Sequence, residues 1–206
     1  MRGAVGLYQT SVGKKIVMAL SGVVLVLFVV GHMIGNLKVF FGQEAFDHYA
    51  HGLRTLGDPL FAPGQFLWIV RIALLAAVGI HMLSAFLTWR QSSAARDVAY
   101  RKSNSLSFSY ASRTMRWGGV IIAAFVVYHL LHLTVGSVHS GFTDSPYENV
   151  WAAFKNPGIA LGYVAVMVLL AFHLYHGVWS ATQTLDLDTY RCLLYTSDAA
   201  DDLQPV

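Results

Sequence analysis

The chain has 206 residues, 55% of them hydrophobic and 12% charged, with a mean hydropathy of +0.52 and a net charge of +3. That composition excludes an ordinary soluble domain and points to an integral membrane protein, while so small a charge excess argues against a nucleic-acid partner. A single cysteine, Cys192, excludes an internal disulfide and leaves no cysteine cluster for zinc or an iron–sulfur centre.

Residues 1–15 form a short, polar, basic arm (Arg2, Lys14, Lys15) that runs straight into an apolar segment over 16–41. About 20 residues suffice to cross a bilayer core, and the run continues too far for a cleavable signal peptide. Its one ionisable group before Lys38 is His32. A polar loop is expected over 42–65, with Glu44, Asp47, His48, His51, Arg54 and the turn signal Gly57-Asp58-Pro59. The second span, 66–89, carries Arg71 near its start and His81 toward its end, and stops at Trp89-Arg90, an interface anchor. Residues 91–112 are rich in Ser, Arg and Asn and read as a surface connection with room for a short interfacial helix.

The third span, 114–136, holds His129 and His132. An outer loop with His139, Pro146 and Pro157 leads to the fourth, 158–182, which holds His173 and His176. No solenoid-type repeat of 20–50 residues stands out. Residues 1–185 are expected to form one transmembrane domain, and 186–206 a non-native or disordered tail. From Cys192 to Asp202 that tail resembles translated read-through of a sequencing adapter, and no function is placed on it.

Basic residues set the expected orientation. The N-terminal arm, the connection over 90–116 and the C-terminal end hold Arg2, Lys14, Lys15, Arg90, Arg96, Arg101, Lys102, Arg113, Arg116 and Arg191. The other loops hold only Lys38, Arg54 and Lys155. The positive-inside rule then places the N-terminus in the cytoplasm.

A charged or polar side chain at membrane depth is costly and faces a bundle interior with a partner, so the intramembrane histidines need a reason. At a helical rise of about 1.5 Å per residue, His32 and His129 lie roughly 10 to 13 Å from the outer ends of their spans, and His81 and His173 about 12 to 13 Å from the inner ends. Two pairs at two depths follow, one from spans one and three, the other from spans two and four. In a four-helix bundle these are diagonal helices, which face each other across the core where cofactors are held. Bis-histidine ligation of two haems fits this pattern, since it fills both axial positions for electron transfer.

For any one of these residues a hydrogen bond to a neighbouring helix is the simpler explanation, and a haem-free transporter with a histidine proton relay is the alternative for the set. Within each doublet, His129/His132 and His173/His176, either member can approach a haem and the other can bond a propionate, a quinone or a carbonyl. Arg71 either meets a propionate or snorkels to the headgroups. Small residues such as Gly22, Gly31, Gly35, Gly79, Gly118 and Gly119 permit close approach, a weak signal in any membrane helix. His48, His51 and His139 read as solvated loop residues.

The segments Gly31-His32-Met33-Ile34-Gly35-Asn36-Leu37, Gly79-Ile80-His81, Arg116 with Val127-Tyr128-His129, and Phe172-His173 with Gly177-Val178-Trp179 carry a resemblance. Over residues 5–185 the chain resembles the two-haem cytochrome b558 subunit of bacterial succinate dehydrogenases and fumarate reductases, the succinate:quinone oxidoreductases. The resemblance implies an outer haem b on His32 and His129 and an inner one on His81 and His173, leaving His132, His176 and Arg71 as neighbours. It also implies separate flavoprotein and iron–sulfur subunits at the cytoplasmic face of the bacterial inner membrane. Electrons would pass from them through both haems to a quinone, with menaquinone expected and Arg54, His48 and His132 as candidates for its site. One departure is clear: the family has a fifth span where this sequence has Asp186-Leu187-Asp188 and the tail. A cytochrome b of a hydrogenase or formate dehydrogenase is the other redox reading.

Overall fold

The computed structural model describes Gly6 and residues 8–94 and 106–186. Every regular element in it is helical: α1 (Ser11–Asn36) with a 3-10 extension (Leu37–Phe41), α2 (Gln43–Thr55), α3 (Gln65–Ala94), α4 (Leu106–His129) with a π-helical run (Leu130–Val135), α5 (Pro146–Phe154) and α6 (Pro157–Thr184). Four stretches are long and apolar enough to cross a membrane: Ser11–Phe41, Gln65–Ala94, Met115–Val135 and Pro157–Thr184. Their apolar side chains face outward, Leu27 being 68% exposed and Leu161 70%. Such a surface calls for lipid around it.

The first helix starts five residues earlier than the polar arm suggests, because the Thr10 hydroxyl accepts a hydrogen bond from the Gly13 N–H at 3.0 Å and caps it. Two expected loops contain helices. Over 43–55 the residues Phe46, Tyr49, Ala50 and Leu53 recur at helical spacing, and Phe46 is buried. Over 146–154, Ser145 caps the helix by accepting from the Glu148 N–H at 3.2 Å, with Pro146 at the first helical position. Asp47 joins these two helices, its carboxylate accepting from Ser145 Oγ at 2.6 Å and from the Tyr147 N–H at 3.0 Å. Of the expected surface connection, 95–105 lies outside the described residues, as does the tail from 187, and α4 already begins at Leu106.

In the bundle α1 packs against α3 and α6, and α6 packs against α4. These contacts order the helices α3–α1–α6–α4 around the bundle, which makes α1 with α4 and α3 with α6 the diagonal pairs. At one end Lys14 Nζ donates to Gln91 Oε1 at 3.2 Å and the Arg116 guanidinium lies 5.8 Å from the Trp89 ring centroid. The basic start of α1, the end of α3 and the start of the third span therefore share that end.

The π-helical run closes at Gly136, which adopts a left-handed φ of 81°. A Cβ there would also collide with the Phe142 ring. Gly136→Ala combines backbone strain with overpacking, and a destabilisation on the order of 1–3 kcal/mol is expected, read as a lower melting temperature of the detergent-solubilised protein. Gly141→Ala shares the positive φ but meets no atom within 4 Å, so it should cost less.

Candidate functional site

His81 of α3 and His173 of α6 meet across one diagonal, with ring centroids 6.3 Å apart and planes at 70°. His81 Nδ1 lies 3.0 Å from the Met18 carbonyl oxygen and 3.4 Å from Ser21 Oγ. The Ser21 hydroxyl spends its own proton on the carbonyls of Val17 and Met18. A carbonyl only accepts, so Met18 fixes the His81 proton on Nδ1 and leaves Nε2 as a free lone pair. A Cβ on Gly22 would stand 3.3 Å from His81 Cε1, and one on Gly119 3.5 Å from His173 Cε1. The Met115 backbone lies near His173, although His173 Nδ1 is buried and completes no hydrogen bond of acceptable geometry.

These contacts expose a repeat that the sequence reading overlooked. Met18, Gly22, Phe28 and His32 in the first span recur at identical intervals as Met115, Gly119, Phe125 and His129 in the third. Phe28 stacks on His32 with centroids 5.3 Å apart, and Phe125 on His129 at 6.0 Å. Each half thus presents a Met and a Gly to the histidine of the span that follows its own, His81 or His173, and a Phe to its own histidine, His32 or His129. The period is far longer than that of a solenoid unit, which is why a search at solenoid length misses it.

Along the other diagonal His32 and His129 bring their rings to 5.9 Å at 86°. Next to them stands Tyr163 of α6, 8% exposed, its hydroxyl 3.0 Å from His132 Nδ1 and 3.5 Å from His129 Nδ1. His132, 2% exposed, is stacked between Tyr128 at 5.2 Å and His139 at 5.0 Å. His139 in turn donates through Nε2 to the Asn149 carbonyl at 2.9 Å. The expectation of a solvated His139 is therefore corrected: α5 carries Asn149 against it and seats its ring on His132. Tyr163 went unnoticed because a tyrosine in the outer part of a span ordinarily reads as an interface anchor.

The remaining candidates are dispersed. Arg71 places its guanidinium 5.1 Å from the Trp68 ring centroid. His176 sits beside Tyr175, ring centroids 5.3 Å apart. His48, His51 and Arg54 line an open cleft with Asp47, Asp144 and Ser145, and His48 and His51 are exposed. His132 does not line that cleft, so the three quinone candidates do not converge.

Two imidazoles binding one metal from opposite faces, at bonds of about 2 Å each, place their ring centroids about 6 Å apart. Separations of 5.9 and 6.3 Å fit that requirement at both levels. Ligating histidines ordinarily donate their other N–H to a carbonyl, carboxylate or comparable acceptor, and the His81 bond to the Met18 oxygen is of that kind. Among the described residues no group of three or more His, Cys, Asp or Glu is placed to hold a bare metal ion. No family model, no curated protein and no solved structure matches the chain.

Proposed function

We propose that this chain is the membrane-anchor cytochrome b of a succinate:quinone oxidoreductase, with two b haems held between diagonal helices. The observation that carries the reading is the pair of histidine couples, at 5.9 and 6.3 Å, on the two diagonals of one bundle. His32 and His129 would hold the outer haem and His81 and His173 the inner one. Bound there, the haems supply one-electron transfer across the membrane between a cytoplasmic flavin and iron–sulfur module and a quinone, menaquinone by resemblance.

The chain's own residues bind, orient and insulate. The Met18 carbonyl sets the His81 tautomer, Gly22 and Gly119 leave room against the inner pair, and lipid against the outward apolar faces would keep water from the bundle. Arg71, which lies over the Trp68 ring, would pair with a propionate once freed from it. The end that gathers Lys14 and Arg116 is the cytoplasmic docking side by the positive-inside rule, in a bacterial cytoplasmic membrane.

Affinity purification from a native membrane tests the assignment of partners. Co-purification of a flavoprotein and an iron–sulfur subunit with succinate:quinone activity supports it. Co-purification with hydrogenase or formate dehydrogenase activity replaces it with the other redox reading, and the absence of any redox subunit together with proton-coupled transport favours the relay.

A further inference from the structure

We infer that the Tyr163 hydroxyl is a positioning group for His129, holding its Nδ1 proton and relaying that bond to His132. The inference rests on the reading that His129 ligates iron. The ring of Tyr163 is fixed by Phe125 and Phe154, edge-on at 4.9 and 5.0 Å, so packing and not solvent sets where its oxygen stands. That oxygen faces two Nδ1 atoms, at 3.0 Å on His132 and 3.5 Å on His129.

A phenol has one proton to give and can accept from another donor. An imidazole that offers Nε2 to a metal carries its proton on Nδ1, so His129 must donate and Tyr163 accept. The phenolic proton then goes to His132 Nδ1, which places the His132 proton on Nε2. His132 is itself clamped between Tyr128 and His139, and His139 is tied to the Asn149 carbonyl. One chain of contacts therefore runs from His129 to α5, and metal ligation by His129 would set the direction of its two Tyr163 bonds. The other couple handles the matter differently, since His81 donates to a backbone carbonyl that no side-chain substitution can remove.

A hydrogen bond from the distal nitrogen makes a ligating imidazole more basic and favours the ferric state. Spectroscopic redox titration of membranes carrying wild type, Tyr163→Phe, His132→Leu and the double variant reads this directly. Tyr163→Phe keeps the aromatic packing; both haems should remain, with the outer midpoint potential raised and the inner one unchanged. His132→Leu should raise the outer potential by less, and add nothing in the Tyr163→Phe background, because it acts only through the phenol. If Tyr163→Phe loses the outer haem, Tyr163→Gln, which restores an acceptor, should recover it. Unchanged potentials with both haems bound, additive shifts, or a Tyr163→Gln protein as empty as Tyr163→Phe overturn the inference. A wild-type protein with no haem b band overturns instead the reading on which it rests.

Discussion

His81→Ala is expected to remove the inner haem and spare the outer one, so that about half of the reduced-minus-oxidised haem b absorbance of the membranes disappears. His173→Ala should give the same spectrum, because its ring stands opposite that of His81 at 6.3 Å, while His32→Ala and His129→Ala should each remove the other component. His176→Ala is the control: its ring lies against Tyr175, and both components should survive. The opposite outcome, inner haem lost in His176→Ala and kept in His173→Ala, would move the ligand by one turn of α6 and break the match with His81.

Gly22→Leu should have the next largest effect. A Cβ alone would approach His81 Cε1 to 3.3 Å, and the branched carbons beyond it force the imidazole to move or the α1–α3 contact to open. Overpacking of this kind costs about 1–3 kcal/mol, and the strain falls on the Nδ1 bond to Met18 that orients the ring. Loss of the inner component with the outer one retained is expected. Gly119→Leu should act in the same direction but less strongly, since its Cβ would stop 3.5 Å from His173 Cε1. Gly52→Leu, with no atom within 4 Å, should leave both components intact. Equal haem loss in all three would show that leucine disturbs the bundle generally and that Gly22 and Gly119 hold no special place.

Hydropathy made the four long helices legible, because a run of some 20 apolar residues has few other uses. Counting residues from the ends of each span was enough to pair His32 with His129 and His81 with His173 as neighbours, since helical rise converts position to depth. The two shorter helices escaped for different reasons. In 43–55 the apolar face is only Phe46, Tyr49, Ala50 and Leu53 among polar residues, and loop-forming signals at Gly57-Asp58-Pro59 dominated. In 146–154 the Ser145–Glu148 capping box was present in the sequence, and Pro146, read as a loop marker, is a good first residue for a helix.

The surroundings of the histidines were less legible than the histidines. Met18 acts through its carbonyl, which every residue possesses, so nothing in its side chain announces the role. The recurrence of Met, Gly, Phe and His in spans one and three was the available signal, and it gains meaning only when Gly22 is seen against His81 and Gly119 against His173. The link from His129 to His132 passes through Tyr163 of α6, which is 34 residues from the one and 31 from the other in sequence. No local pattern encodes such a contact.

The most direct test of the account is the haem content of the purified chain, measured from its reduced-minus-oxidised spectrum together with the protein concentration. Two b haems per chain is the predicted result, one for each histidine couple. A protein that is folded and helical in detergent yet shows no haem b band, after expression in a host able to make haem, would contradict it.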